Sequence, residues 1–199
     1  KPLLIFEPMT IDYPMASIRF HKFAIEGMQD IQKQTEKSKA FYFPYVEEKR
    51  GVADKLLIEL AKNAAVVITD DYPTYFVPQM TAEAKGSIQT TYELVDSNGL
   101  LPIRIAEKEY VRAHDFRRFM HKNIEDFLVE VPEKDPLEYL NLKFDEKLLE
   151  PIFKKYELVD FNKVNTQDFL NNLNVDKSVE ISDVVGGYNA AKSRLDLFA

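Results

Sequence analysis

The feature that most constrains the fold is a short apolar run that ends at two acidic residues. Ala65–Thr69 reads AVVIT, and Asp70 and Asp71 follow it directly. A run of this length with no polar alternation is typical of a parallel β-strand that is covered on both faces. It therefore predicts a sheet that lies between layers of helices.

The rest of residues 1–105 alternates between strand and helix patterns. Strands are also predicted at Leu3–Phe6, Phe41–Tyr45 and Thr90–Val95. The order βαβαβαβ, joined by right-handed crossovers, indicates an α/β fold, a doubly wound, Rossmann-like open parallel sheet with helices on both faces. The first predicted helix has an apolar stripe at helical spacing, formed by Phe20, Phe23, Ala24, Gly27, Met28 and Ile31.

The second half of the chain has a different pattern. A helix is predicted over Arg112–Leu128, with Phe127 and Leu128 among its inward residues, and short helical or irregular pieces follow it. Such a long, broken stretch is typical of a segment that wraps a domain or bridges to another one. We therefore expect an α/β domain at 1–108 and a helix with a wrapping linker at 109–183. Because residue 1 is Lys, we also expect the chain to be a piece of a longer protein.

Composition and charge exclude several classes of function. The chain of 199 residues has a formal net charge of −7, which argues against nonspecific coating of nucleic acid or anionic membranes. It has no cysteine, so disulfides, thiolate metal sites and cysteine nucleophiles are excluded. No signal peptide and no apolar run of membrane-spanning length is present. These absences favour a cytoplasmic protein with no membrane contact.

The sequence gives no sign of catalytic residues. Two of the three histidines, His114 and His121, lie seven residues apart on one predicted helix, which separates their backbones by about 10 Å and makes a metal site improbable. Neither a dinucleotide-binding GxGxxG nor a phosphate-binding P-loop is present. We predict no catalytic residue and no metal ligand in this chain.

The acidic pair is the first candidate for ligand contact. Asp70 and Asp71 end a strand, and ligands of open α/β sheets bind at the carboxyl ends of strands. Alternatively, one of them caps the following helix. Tyr72 either forms an aromatic wall for a flat ligand or belongs to the core.

A second candidate is the basic face of the helix after Tyr110. Most such faces are only solvated, although contact with phosphate or nucleic acid is an alternative. The residues concerned are Arg112, Arg117, Arg118, His121 and Lys122.

Several segments together resemble one known family. They are LLIFEP (3–8), SIRFHKFAIEGMQDIQ (17–32), AVVITDDYP (65–73), YELVDSNGLLPI (92–103) and EYVRAHDFRRFMHKNIEDFL (109–128). In this order they resemble the amino-terminal α/β antenna domain of the DNA photolyase/cryptochrome family, closest to class II deoxyribodipyrimidine photolyases. The final GGYNAAKSRLDLF (186–198) is similar to the segment with which these proteins enter their helical, flavin-binding domain. On this resemblance 184–199 begins that helical domain.

The resemblance implies a light-driven function for the full-length parent. Family members repair cyclobutane pyrimidine dimers in DNA with an electron from reduced FAD, and their α/β domain can hold an antenna chromophore, which is a deazaflavin, a folate or FMN. The resemblance therefore implies the carboxy-terminal helical domain of the parent and, through it, damaged DNA as partners. FAD belongs to that helical domain, so this fragment alone is expected to be inactive.

The resemblance also assigns candidate cofactor-binding residues. It matches Met9 and Thr10 with the loop after the first strand present here, Arg19 with a helix arginine that approaches the antenna, and Asp70 and Asp71 with the acidic strand end, beside which Tyr72 would offer a ring face. For the basic helix, the resemblance favours packing against the rest of the parent protein.

The family's first strand, central in its sheet, has no counterpart in this chain. We therefore expect exposed strand edges and self-association. A cryptochrome-type light sensor, or an unrelated flavodoxin-like nucleotide- or flavin-binding module, is the alternative function.

Overall fold

The computed structural model describes residues 1–11, 13, 15–129, 131–164 and 166–198. It divides the chain into two compact units. The first unit combines Lys1–Leu57 with Asp135–Ala199, and the second unit is Ile58–Lys134. The first unit is thus built from two stretches that are distant in the sequence. The domain boundaries predicted from the sequence, at 108 and 183, divide the chain differently. They stay a prediction.

Strands and helices alternate in the first half of the chain, and helices and turns make up the rest. The strands are β1 (Leu4–Met9), β2 (Phe41–Val46), β3 (Val66–Asp70) and β4 (Thr91–Val95). The α-helices are α1 (Ile18–Thr35), α2 (Val52–Ala61), α3 (Val77–Ser87), α4 (Ala113–Asn123), α5 (Glu150–Phe153), α6 (Thr166–Asn172) and α7 (Tyr188–Phe198). Short 3-10 helices lie at Ile103–Ile105, Ile124–Phe127, Pro136–Tyr139 and Glu146–Leu149.

The described strands form two parallel pairs, one in each unit. In the first unit β1 pairs with β2 from Leu4 opposite Phe41 to Met9 opposite Val46. In the second unit β3 pairs with β4, beginning with Val66 opposite Thr91. Parallel neighbours need a crossover, which α1 provides in the first pair and α3 in the second. The predicted α/β, Rossmann-like class with parallel strands is confirmed.

The core of the first unit combines early and late residues. Ile25 and Met28 of α1 are almost completely buried, and so is Leu170 of α6. A strand pair with one helix leaves the far side of that helix without apolar cover, and the late segment supplies it. The buried cluster consists of Met9, Ile18, Ile25, Met28, Val46, Phe161, Leu170 and Leu173.

The buried face of α1 differs from the predicted stripe. Ile18, His21, Ile25, Met28 and Thr35 are buried, whereas Phe20 and Phe23 are about half exposed. The apolar stripe of the sequence and the buried face therefore share Met28 but not these two phenylalanines. The true face includes two polar side chains, so its apolar periodicity is weaker than that of the exposed face.

Two glycines hold the start of α7 against α1. A Cβ on Gly186 would lie 2.0 Å from the carbonyl oxygen of Phe23, and Gly187 has a positive φ of 96°. The Glu26 carboxylate accepts a hydrogen bond from the Gly186 amide at 2.8 Å. Asp30 accepts one from the Asn189 amide at 3.0 Å, which satisfies a free N–H of the first helical turn. We call this contact the diglycine joint.

The second unit leaves one face of its strand pair uncovered. Val66 and Ile68 of β3 are 37% and 59% exposed, and Val95 of β4 is 49% exposed. The prediction that 65–69 is covered on both faces is therefore wrong for the described chain.

Helix α4 also ends earlier than predicted. It gives way after Asn123 to a 3-10 helix at Ile124–Phe127. This turn is tighter than that of an α-helix, so the apolar register is lost. Phe127 and Leu128 are 37% and 52% exposed, and their predicted inward placement is wrong.

The diglycine joint predicts that the effect of a Gly→Ala substitution on stability depends strongly on its position. We expect Gly186→Ala to lower the free energy of unfolding by about 1–3 kcal/mol, because backbone atoms of α1 occupy the space. Gly86→Ala is the matched control, since its Cβ would meet nothing within 4 Å and it lies in helix α3. It should raise the free energy of unfolding by about 0.4–1 kcal/mol. Urea denaturation measures both, and equal stability of the two variants would contradict the joint.

Candidate functional site

The carboxyl ends of β1 and β2 are joined by a buried carboxylate. Glu47, the residue after β2, is only 2% exposed. One of its oxygens accepts hydrogen bonds from the amides of Val52 and Ala53 at 2.8 and 3.1 Å, which caps the start of α2. The other accepts one from the hydroxyl of Thr10 at 2.7 Å. Glu47 thus fixes the loop after β1 and the following helix at the same point.

A buried histidine completes this strand end. The Nδ1 atom of His21 lies 2.9 Å from the carbonyl oxygen of Ser17, and Nε2 lies 3.2 Å from that of Thr10. The ring of Tyr13 stacks on it with the centroids 5.7 Å apart. These contacts hold the loop after β1 against the first turn of α1.

The other residues predicted in the first unit have structural contacts. The Met9 side chain belongs to the buried core cluster. Arg19 donates from Nε to the carbonyl oxygen of Glu180 at 2.6 Å, which ties the start of α1 to the late segment. Their contact with a chromophore stays a prediction.

The carboxyl ends of β3 and β4 carry the predicted acidic pair, and both carboxylates have partners within the unit. Asp70 accepts a hydrogen bond from the hydroxyl of Ser97 at 2.5 Å. Asp71 forms a bidentate ion pair with Arg104, whose Nη2 lies 2.7 Å from Oδ1 while Nε contacts Oδ2. Hydrogen bonding to this guanidinium holds the pKa of the Asp71 carboxyl below its ordinary value.

A third aspartate shapes the turn after β4. Asp96 accepts a hydrogen bond from the Ile103 amide at 2.6 Å, which is the main reason why the pKa of its carboxyl is lowered. Asn98 donates from its side chain to the Asp71 carbonyl oxygen at 2.8 Å. Tyr72 stands beside this network with its side chain 43% exposed. The Asn98 contact therefore holds the segment after β4 to the end of β3.

An apolar cavity adjoins this turn. Its volume is about 400 Å³, which lies within the usual range for small-molecule sites. The residues that line it include no charged side chain, and a flat aromatic ring fits such a lining. They are Gly99, Leu100, Leu101, Pro102, Ile103, Ala106, Phe116, Met120 and Ile124.

A second cavity, of about 490 Å³, has a less suitable position. It includes Phe41, the first residue of β2, together with Phe153 and residues 154–158. The β2 residue in its lining is the first of the strand, whereas ligands of α/β sheets bind at carboxyl ends. We take the apolar cavity of the second unit as the candidate ligand site.

Sequence reasoning identified the strand ends but missed several residues that organise them. Thr10 was predicted, whereas its partners Glu47 and His21 were not. Asp71 was predicted, whereas Arg104 was not. The sequence gives no clear signal for Glu47, because Glu is not among the preferred N-cap residues and lies five residues before α2. It gives none for Arg104 either, an isolated cation 33 residues from its partner.

The parallel strand pairs and their helices define a Rossmann-like α/β protein. No family model matches the chain. Over 152 residues, or 76% of its length, the chain is 28% identical to the deoxyribodipyrimidine photo-lyase of Methanothermobacter thermautotrophicus. The aligned region covers 32% of that relative, so the chain spans about a third of it. The resemblance to photolyases that the sequence predicted is confirmed by this similarity.

The buried carboxylate gives the first prediction for these strand ends. We expect Glu47→Ala to lower the free energy of unfolding by about 2 kcal/mol, because two helix amides and the Thr10 hydroxyl lose their acceptor. Glu48→Ala is the matched control on the neighbouring exposed carboxylate and should stay within about 0.5 kcal/mol of the parent. Urea denaturation compares the two variants. Equal effects would contradict the assigned cap.

The ion pair gives a prediction about titration. Because the pKa of Asp71 is lowered in the fold, the pair contributes stability above the ordinary aspartate value of 3.8 and loses it as the pH falls through the lowered value. We expect Arg104→Gln to raise the pKa of Asp71 toward 3.8. Carbon-13 NMR of the carboxyl groups measures this shift. Arg112→Gln, which removes a different ion-pair cation, should leave Asp71 unchanged, and an unchanged Asp71 in Arg104→Gln would contradict the pairing.

Proposed function

We propose that the chain is the amino-terminal α/β domain of a photolyase-like, cytoplasmic protein. The observation that carries this proposal is the similarity to a photolyase over 152 residues. The parallel βαβ units support it, because they provide the fold that the family resemblance implies. In the full-length protein this domain would support light-driven, FAD-dependent repair of cyclobutane pyrimidine dimers in DNA. No described helix is long and apolar enough to cross a membrane.

We further propose that the domain holds an antenna chromophore, which is a deazaflavin, a folate or FMN. When bound, such a group absorbs light and passes the excitation to FAD in the helical domain. The cavity beside the 96–103 turn fits a flat ring system in volume and in apolar lining. Its wall residues would exclude water from the ring faces.

The surrounding polar residues would position the ligand rather than react with it. The Asp96 bond to Ile103 and the Asp71–Arg104 pair hold the loop that forms one wall of the cavity. Arg104 is 72% exposed along its side chain, so it can also meet a polar edge or an anionic tail. In this proposal the protein supplies position and surroundings, and the chromophore supplies the photochemistry.

The partner of this domain would be the carboxy-terminal helical domain of the same parent, which carries FAD and the damaged DNA. Helix α7 supports this assignment because much of its apolar surface is uncovered. Leu195, Leu197 and Phe198 are 62%, 87% and 91% exposed. Large apolar side chains that are exposed together mark a contact surface.

The chromophore proposal is tested by titration of the purified chain. A folate, a deazaflavin and FMN are added separately, and absorbance and fluorescence report binding. Ala106→Phe, which fills the cavity, should weaken binding at least tenfold, whereas Ala82→Phe on the exposed side of α3 should not. Arg19→Ala and Asp70→Ala test the residues chosen from the sequence. Each would weaken binding about ten- to a hundredfold if its side chain contacts the ligand through a charge-assisted hydrogen bond.

Two results would contradict the chromophore proposal. One is the absence of binding of all three compounds, and the other is equal binding by Ala106→Phe and the unaltered chain. Neither result would decide whether the chain is a domain of a repair protein, which needs a separate test. That test is light-dependent dimer reversal by the full-length parent, compared with a dark control. A parent that retains FAD but reverses no dimers would favour the light-sensing alternative.

A further inference from the structure

Helix α4 has one face that consists of cationic and imidazole side chains. His114, Arg117, Arg118, His121 and Lys122 follow the spacing i, i+3, i+4, i+7, i+8, which places them on one side of the helix. All five are exposed. We call this surface the α4 basic face. The chain has a net charge of −7, so this face is positively charged on a molecule that is negatively charged overall.

The opposite side of α4 is anchored within the second unit. Phe116, Phe119 and Tyr110 form an aromatic cluster with centroid distances of 5.2 to 6.3 Å. Phe116 and Met120 also line the apolar cavity. These contacts fix the orientation of α4 within the second unit, although Phe116 stays 41% exposed, and they direct the basic face away from the cavity.

Acidic residues flank the basic face at Asp115, Glu125 and Asp126, but no described ion pair joins them to its arginines or its lysine. In the part of the chain that the structure describes, none of Arg117, Arg118 and Lys122 forms an ion pair. Asp115 lies at the start of the helix and pairs with Arg112 at 3.4 Å. Glu125 follows the helix within the 3-10 turn. The three cations between these acidic residues are available to an external anion.

We propose that the α4 basic face binds the phosphate backbone of duplex DNA. The choice of DNA as the polyanion rests on the proposed repair function. The axial rise from Arg117 to Lys122 is about 7.5 Å. Phosphates of one strand follow each other at about 3.4 Å along the duplex axis, so the three cations can meet two or three of them.

Two other occupants fit the observations less well. A protein partner gains most of its affinity from buried aromatic and apolar anchors, and this face presents none. An anionic membrane binds amphipathic helices through their apolar side as well, and on that side of α4 Phe116 and Met120 already line the cavity of the second unit. A face of cations alone suits a polyanion that needs no apolar contact.

The test is fluorescence anisotropy of a labelled 20-base-pair duplex with the 199-residue chain, in the dark and without chromophore. The variant is Arg117→Gln/Arg118→Gln/Lys122→Gln. The matched control, Lys37→Gln/Lys49→Gln/Lys55→Gln, removes the same charge from exposed lysines of the first unit. Circular dichroism confirms that all proteins are folded.

We expect the α4 variant to bind the duplex at least tenfold more weakly than the parent at about 50 mM salt, and the control to lose less than threefold. The slope of log K against log salt should become less negative by about 2–3, since each phosphate contact contributes about −0.9. Unmeasurable binding by the parent, or equal losses in variant and control, would overturn the proposal. If the chain binds vesicles of anionic lipid through the basic face but does not bind the duplex, the partner of this face is a membrane surface and not DNA. None of these outcomes depends on chromophore binding or repair, so the proposed function is tested separately.

Discussion

The packing of α1 on two sides is the constraint on which the first unit depends. One side meets the β1–β2 pair and the apolar residues of 159–173, which bury Ile25 and Met28. The other meets the diglycine joint. Since a pair of strands with one helix encloses too little apolar surface to be stable, the late segment is part of the same core rather than an addition to it. This explains why residues 135–198 contain few long helices, because they follow the surface of an element already in place.

The sequence predicted the presence of α1 but not its buried face, and the reason is physical. Hydrophobic periodicity assumes that the buried face is the more apolar one. His21 breaks this assumption because its imidazole N–H can donate to a carbonyl oxygen, with those of Ser17 and Thr10 at 2.9 and 3.2 Å from its two ring nitrogens. Thr35 does so because its hydroxyl bonds to carbonyl oxygens of the preceding turn. Buried polar groups with satisfied hydrogen bonds are compatible with a core, and a single sequence does not show which groups will be satisfied.

A similar limit applies to the candidate site. The ends of strands were visible in the sequence, since runs such as AVVIT are stopped by acidic residues, and this correctly located Asp70 and Asp71 at the end of β3. Their partners were not visible. Arg104 reaches Asp71 across 33 residues, and this contact exists only because β3 and β4 are parallel neighbours. Sequence reasoning therefore finds the edge of the sheet, while the arrangement along that edge depends on tertiary pairing.

The diglycine joint also has a mechanical consequence. The start of α7 is held to α1 by two hydrogen bonds from backbone amides to the carboxylates of Glu26 and Asp30, and Gly186 lets its backbone approach that of Phe23. A flexible linker would let α7 move independently of α1. This contact would instead couple the orientation of α7 to that of α1. Helix α1 in turn contacts the loop after β1 through His21, whose Nε2 lies 3.2 Å from the Thr10 carbonyl oxygen, so a displacement of α7 would be felt at the end of β1.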